Sequence, residues 1–280
     1  MSQPVSPTAL VTGASDGIGY DTARRLAVGG WNVIVHAPTA DSAEEAVMRL
    51  VRDGADPLRL EIVVADFSRI DDVVAMAAQV IATHSRIDAL VNNAAIAGPE
   101  SRTVGPDGNE LTFQVNYLAP YLLTRLLAGT LDAAPSGRVV NVSSSLHVSG
   151  NLDWADLNRE HRYAPLAAYA QSKLALTMFT VALAGHEAHK FTAVSVHPGV
   201  VDSGLLPLYS RVGAPVGDAG TVVAQLASPE TEVVNGAYYD GLGARRAAGL
   251  AENPRAVSRL WKISGRLTGL EHPVALRQAA

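Results

Sequence analysis

The chain has 280 residues, 48% of them hydrophobic and 18% charged, and a formal net charge of −5. Length and composition together suit a soluble α/β chain with a sizeable core, and the negative balance gives no general reason to bind nucleic acid. The sequence contains no cysteine, which excludes disulfides and thiolate metal sites.

Residues 1–8 are polar, with no basic start before an apolar run, so no signal peptide is expected. The first strand, at 9–12, runs into Thr12-Gly13-Ala14-Ser15-Asp16-Gly17-Ile18-Gly19 and then into a helix at 17–29. A glycine-rich turn between a strand and a helix is the setting in which backbone N–H groups and a helix N-terminus receive a pyrophosphate. Further strands are expected at 32–36, 59–64, 89–91, 138–142, 192–197 and 236–239, where apolar and β-branched residues cluster. Between them, helical spacing covers 41–53, 70–84, 109–132, 165–188 and 218–227. Such alternation predicts a doubly wound parallel sheet of about seven strands with helices on both faces. It reads as one domain over 1–280, with 1–8 a flexible N-terminus and 253–280 a C-terminal helix and tail. The longer apolar stretches are interrupted before about 18 residues, so no membrane span is expected.

Two segments break the alternation. Residues 146–167 are polar and aromatic, and residues 202–217 are rich in Gly, Pro and Leu. Both follow the carboxyl ends of expected strands, where open α/β sheets bind ligands. The expected substrate lining is 97–102, 146–151 and 205–212, and the apolar run at 205–209 favours a fairly hydrophobic small molecule. Within the insertion, His161 and Arg162 either line the entrance or are solvated. At 254–267, Val257, Leu260, Trp261, Ser264 and Leu267 recur near helical spacing beside Arg255, Arg259, Lys262 and Arg266. The expectation is an amphipathic helix docked on the body with a solvated cationic face. His84, His186 and His189 form no metal-ligand pattern and are expected at the surface, so no metal is expected.

Tyr169 and Lys173 lie four residues apart in an expected helix and so share a face. The chain has three lysines, Lys173, Lys190 and Lys262. A free phenol has a pKa near ~10, and an ammonium beside it favours the phenolate. That pair is suited to passing a proton to or from an oxygen. His147, near Ser144, raises a serine hydrolase, but no Gly-x-Ser-x-Gly elbow surrounds Ser144.

With these motifs in this order, the chain resembles the short-chain dehydrogenase/reductase family over nearly its whole length. The resemblance rests on Gly13, Gly17 and Gly19, on Asp66-Phe67 and on Asn92-Asn93-Ala94-Ala95. It continues through Asn116, Ser144 between Ser143 and Ser145, Tyr169 with Lys173, and Pro198-Gly199. It is nearest to the retinol-dehydrogenase-like and WW-domain-oxidoreductase-like group. That follows from the long Ser144-to-Tyr169 gap containing Asp156-Leu157-Asn158, the run 197–205 and the tail 259–264. The resemblance implies a Rossmann-type fold and hydride transfer between a nicotinamide and a carbonyl or secondary alcohol.

By the same resemblance, Ser144, Tyr169, Lys173 and Asn116 are catalytic: Tyr169 as acid or base, Lys173 tuning it, Ser144 holding the substrate oxygen, and Asn116 holding a water linked to Lys173. The implied cofactor-binding set is Gly13, Ser15, Asp16, Gly17, Ile18, Gly19, Thr39, Asp66, Phe67, Asn93, Ala94, Ala95, Tyr169, Lys173, Pro198, Gly199, Val201 and Ser203. Asp66 and Asn116 have plainer readings, as a helix N-cap and as a satisfied core amide. Ala95 replaces the usual glycine. Ala37 stands where NAD-preferring relatives often place an aspartate, and Pro38 where NADP-preferring ones often place an arginine. The missing acid leaves room for a 2′-phosphate, with Thr39 or His36 as donors, so NADP(H) is favoured over NAD(H). The resemblance also implies a homodimer or homotetramer assembled through 109–132 and 165–188, an interface that the C-terminal tail is placed to block. The cysteine-free composition is compatible with a reducing cytosol, and a cytoplasmic location is expected. Two alternatives stay open: a dehydratase, epimerase or enone reductase on the same scaffold, and a cofactor-binding regulator without chemistry.

Overall fold

The computed structural model describes residues 6–186, 189–201, 205 and 213–270. Its sheet has eight strands: β1 (Thr8–Val11), β2 (Asn32–Ala37), β3 (Leu60–Val64), β4 (Ala89–Asn92), β5 (Arg138–Val142), β6 (Thr192–His197), β7 (Tyr238–Asp240) and β8 (Gly243–Arg245). They run in the order β3-β2-β1-β4-β5-β6-β7-β8, with every pair parallel except β7–β8. The antiparallel β8 is one strand beyond expectation. It is three exposed residues, too short to show any alternation. The N-terminus is ordered further forward than expected, since Thr8 is in β1 and Pro7 accepts from the Asn32 N–H.

The helices are α1 (Gly17–Val28), α2 (Ala40–Arg52), α3 (Ile70–Thr83), α4 (Leu111–Phe113), α5 (Ala119–Leu126), α6 (Ala128–Asp132), α7 (Pro165–Ala184), α8 (Val216–Ala227) and α9 (Pro254–Leu267). Successive strand residues point to opposite faces, so each strand feeds two cores. Leu10, Ile34, Val63, Leu90 and Val139 pack with Val73 and Met76 of α3, Leu122 and Leu123 of α5, and Leu174 and Met178 of α7. Val11, Val33, Val35, Val91, Val140 and Val194 pack with Ala23 and Leu26 of α1, Leu50 of α2 and Val223 of α8.

The single helix expected at 109–132 is interrupted. A π turn at Gln114–Leu118 separates α4 from α5, and Pro120 has no N–H to continue an α pattern back to Asn116. Helix α7 begins at Pro165, whose fixed φ suits the first turn. It is long and apolar enough by composition to span a membrane, contrary to expectation, but 78% of that stretch is buried inside the fold. It is the central core helix, and it carries Tyr169 and Lys173.

Strand order reverses between β1 and β4. The crevice beyond the carboxyl ends of these strands is where such sheets bind ligands.

Candidate active site

The glycine turn leaves β1 at this crevice. Thr12 anchors it: its Oγ1 donates to the Val91 carbonyl and accepts from the N–H groups of Asn93 and Ala94 at 2.9 and 3.0 Å. The Asn93 Nδ2 donates to the carbonyls of Thr12 and Gly13 at 2.9 and 3.1 Å. Gly13 has φ +62°, which disfavours a side chain, and a Cβ there would meet Ala94 Cα at 2.8 Å. A Cβ on Gly19 would collide with the Gly13 carbonyl oxygen and with Asn93 Nδ2. From behind, Arg49 donates to the Ser15 carbonyl at 3.3 Å, with its guanidinium 4.1 Å from the centre of the Tyr20 ring.

In front of this turn lies a cavity of about 470 Å³. Its lining takes in Gly13, Ser15, Asp16, Gly17 and Ile18 of the turn, Asp66 and Phe67 after β3, and Asn93, Ala94 and Ala95 after β4. The structure thus brings together residues expected from three separate segments. Asp66 is not the cap of α3. Its Oδ1 accepts from Ser68 N–H at 2.9 Å, and the first turn of α3 is met instead by Asp107, which accepts from Ile70 N–H at 2.7 Å.

Thr39 does not line this cavity. It is the N-cap of α2, exposed, with its Oγ1 accepting from Ser42 N–H at 3.3 Å and paired with Ser42 Oγ at 2.8 Å. Pro38 takes its place in the wall. His36 also lines the cavity, but both ring nitrogens are engaged. Nδ1 accepts from Gly13 N–H, and Nε2 bonds the Ala65 carbonyl, each at 3.0 Å. Both residues expected to donate to a 2′-phosphate are thus hydrogen-bonded elsewhere in this structure, Thr39 to Ser42 and His36 to Gly13 and Ala65. The charged residues in this lining are Asp16 and Asp66.

A smaller cavity of about 50 Å³ shares Ile18, Asn93, Ala95 and Leu205 with the first and adds Ser143, Tyr169, Lys173, Pro198, Gly199 and Val201. Lys173 and Tyr169 do share a face of α7, with Nζ 5.5 Å from the centre of the phenol ring. Nζ donates to the Val142 carbonyl at 2.8 Å, and burial lowers the lysine pKa to about 7. An ammonium loses solvation here without gaining a counter-charge.

The three serines separate cleanly. Ser143 Oγ is engaged with α7, at 3.2 Å from the Lys173 carbonyl and 2.8 Å from Thr177 Oγ1, and Ser145 is exposed. Ser144 is buried, and its Oγ accepts from Leu146 N–H at 2.9 Å. It is Ser143 rather than Ser144 that meets the cavity surface.

His147 is no base for Ser144 Oγ. Its Nε2 accepts from Ala248 N–H at 3.1 Å, so Nδ1 carries the proton and donates to the Ser144 carbonyl at 2.7 Å. Burial lowers its pKa.

Asn116 sits in the π turn, wholly buried. Its Oδ1 accepts from Ile96 N–H at 2.8 Å, and its Nδ2 donates to the Ile96 carbonyl at 3.0 Å and to Ser172 Oγ at 3.1 Å. It ties the loop after β4 to α7. Below it, Thr124, Asn92, Asn141 and Thr180 form a buried row of side-chain hydrogen bonds of 2.8–2.9 Å. The sequence did not reveal that row, because asparagines inside strands carry no sign of their partners.

Ser203 and most of the 205–212 lining lie outside the described residues. His161 and Arg162 are exposed. His84 pairs with Glu61 at 2.9 Å, and His189 lies 3.5 Å from Asp132. No group that could hold a metal ion is present among the described residues.

The short chain dehydrogenase family profile matches residues 7–210. The chain is 36% identical to retinol dehydrogenase 13 of Mus musculus, covering 94% of this chain and 84% of that one. It is 35% identical to polyprenol dehydrogenase of the same organism, covering 93% and 83%. Among solved structures it resembles an uncharacterised protein from Mycobacterium paratuberculosis with a TM-score of 0.78, 29% identity and coverage of 94% and 93%. It also resembles the landomycin C-6 ketoreductase LanV, solved with NADP and rabelomycin, with a TM-score of 0.63, 30% identity and coverage of 84% and 94%. A glycine turn, a Tyr–Lys pair on the core helix and these matches agree, and the chain belongs to the short chain dehydrogenase family as an oxidoreductase dependent on NAD(P).

Proposed function

We propose that the two adjoining cavities hold one nicotinamide dinucleotide and that Tyr169 is the proton donor and acceptor for a carbonyl or secondary alcohol beside it. The observation that carries this is that the glycine-turn cavity and the one lined by Tyr169 and Lys173 adjoin, with Ile18, Asn93, Ala95 and Leu205 forming a shared wall. A dinucleotide fits here because the turn is held close by residues that admit no Cβ, and its wall follows the carboxyl ends of β1, β3 and β4. Gly13, Ser15, Gly17 and Ile18 would form its phosphate end, with Gly19 packed behind them against Gly13 and Asn93. Asp66 and Phe67 would form its adenine wall, and Pro198, Gly199 and Val201 its nicotinamide end. The bound cofactor supplies the hydride chemistry.

The rest of the mechanism belongs to this chain's residues. Tyr169 gives its phenolic proton to the substrate oxygen in reduction and takes it back in oxidation. Lys173 holds charge close to the ring and favours the phenolate. To Ser144, two residues past β5 and behind the lining that Ser143 supplies in this structure, we assign donation to the substrate oxygen as charge develops there. The Asn116 side chain is engaged with Ile96 and Ser172, so its water-holding group is the backbone carbonyl. Pro120, four residues on, has no N–H to claim that carbonyl.

Asp16 and Asp66 face the first cavity and no cation does among its lining residues, while Ala37 brings no acid to the ribose. The lean toward NADP(H) keeps the missing acid at Ala37 but not the support of Thr39 and His36 as donors, and we propose that the site uses both cofactors, within about tenfold of each other in kcat/KM. Two relatives are named for retinol and polyprenol, both long apolar alcohols. Ile18, Val142, Val201 and Leu205 around the smaller cavity support a substrate of that apolar class. Carbonyl reduction is one direction of this proposed chemistry, and the cysteine-free composition is compatible with a reducing compartment such as the cytoplasm. Helix α9 covers one face of α5 and α7, which limits the homodimer expected through these helices to the face it leaves open.

The test follows nicotinamide absorbance with NADPH and NADH over a panel of apolar aldehydes, ketones and alcohols. Tyr169→Phe should lower kcat by roughly 10²–10⁴-fold. A wild-type protein that binds cofactor tightly and never turns over would make the chain a cofactor-binding regulator. Turnover that survives in Tyr169→Phe would remove the tyrosine from the chemistry.

A further inference from the structure

His36 is the penultimate residue of β2, 2% exposed, and has no part in the proton transfer proposed above. Gly13 has one N–H, and that donor points at His36 Nδ1, which must therefore carry a lone pair. The proton then sits on Nε2 and is donated to the carbonyl of Ala65, just after β3. The backbone carbonyl of His36 accepts in turn from Ala14 N–H at 2.9 Å. One residue thus holds two successive N–H groups of the glycine turn. The imidazole lies flat on Phe67, with ring centres 4.4 Å apart and planes 24° apart. Burial keeps the ring neutral, with its pKa lowered to about 4.

We propose that His36 is a positioning residue for the cofactor: a neutral imidazole that fastens the glycine turn to the Ala65–Phe67 wall, so that the phosphate end and the adenine end of the cavity are set as one rigid piece. The inference rests on the dinucleotide reading of that cavity. Both ends line the same space, and His36 lines it between them. Without the imidazole, the partly buried Gly13 N–H loses its acceptor and the turn loses its side-chain link to the Ala65–Phe67 wall, while Ala14, Asn93 and Arg49 still hold it from other sides. The residue acts through the turn and the Phe67 ring, and the transferred proton never meets it.

Three variants of the full chain separate the contacts. His36→Asn places an oxygen near the position of Nδ1 and can still accept from Gly13. His36→Gln places its amide near Nε2, reaching Ala65 but not Gly13. His36→Phe keeps the stack on Phe67 and loses both hydrogen bonds. Dissociation constants for NADH and NADPH would be read by quenching of tryptophan fluorescence, with kcat and the substrate KM measured at saturating cofactor.

His36→Phe and His36→Gln should weaken both cofactors by on the order of tenfold, and His36→Asn should stay within about threefold of wild type. Substrate KM and kcat at saturation should not move, a split that general loosening of the fold would not give. If His36→Phe does not fold, the contrast between Asn and Gln decides alone. Equal affinity in all variants overturns the inference and leaves the dinucleotide site standing, as does equal loss in Asn and Gln. A wild-type protein that binds neither NADH nor NADPH removes the dinucleotide reading, and the inference with it.

Discussion

The tightest constraint at the residue scale is Gly19, whose missing Cβ leaves room for the Gly13 carbonyl and Asn93. Gly19→Ala forces apart two segments that Asn93 otherwise ties together, a mismatch that costs about 1–3 kcal/mol. The expected outcome is a lower thermal midpoint together with a weakened cofactor Kd, read by melting with and without NADPH. A melting curve and a Kd both equal to wild type would mean that the turn gives way freely. The three glycines and the Tyr169–Lys173 pair were legible in the sequence because their chemistry fixes spacing along one element. His36, Arg49 and Thr12 make their contacts across elements 23, 34 and up to 82 residues apart in the chain. A single sequence carries no signal for which ring nitrogen or hydroxyl meets which distant N–H.

Elements were legible where periodicity ran undisturbed. Strands β5 and β6 and helix α9 fall on the expected residues, and α1, α2, α3 and α8 within two residues at either end. The interrupted helix at 111–132 was not, because one extra residue per turn leaves the apolar pattern nearly intact. Only Pro120 hinted at it. Helix α9 bears out the expected amphipathic reading in detail. Trp261 meets Tyr121 and Phe179 with ring centres 5.5 and 5.9 Å away, Ser264 lies 2.6 Å from Tyr117 Oη, and Arg259 covers Trp154 at 4.7 Å. The Tyr117 hydroxyl is wholly buried, which raises its pKa. Trp261→Ala removes the central ring of this seam, and because the side chain is only partly buried the expected loss is about 2 kcal/mol. Urea unfolding should show a lower midpoint with an unchanged slope. An unaltered midpoint would mean that α9 rests on the body without stabilising it.

Across the whole molecule, the buried titratable groups give stability a sign with respect to pH. His36 is held neutral, its pKa lowered from 6.5 to about 4 by burial, and His147 and His197 are lowered for the same leading reason. Between pH 6.5 and 4 the unfolded histidine binds a proton that the folded one refuses. Stability is therefore complete above the unfolded pKa and falls as pH drops through that window, by on the order of 3 kcal/mol for His36 at most. Urea midpoints measured between pH 7 and pH 4 should show the loss, and His36→Asn should lessen it. The architecture as a whole was the most legible layer, since strand–helix alternation with mostly apolar strands admits few other packings. The substrate side was the least, because it is built from loops whose side chains obey no period.

The burial of Lys173 sets the demands of chemistry against those of folding. Its pKa is lowered from 10.5 to about 7 by desolvation alone, so the charged form destabilises the fold at and below neutral pH, and the penalty lifts as pH rises toward 10.5. Lys173→Met should melt higher than wild type at pH 7, lose that advantage in alkali, and turn over no substrate. A directed selection for heat resistance alone would therefore drift toward a dead enzyme, and any programme to harden this scaffold must select for turnover in the same round.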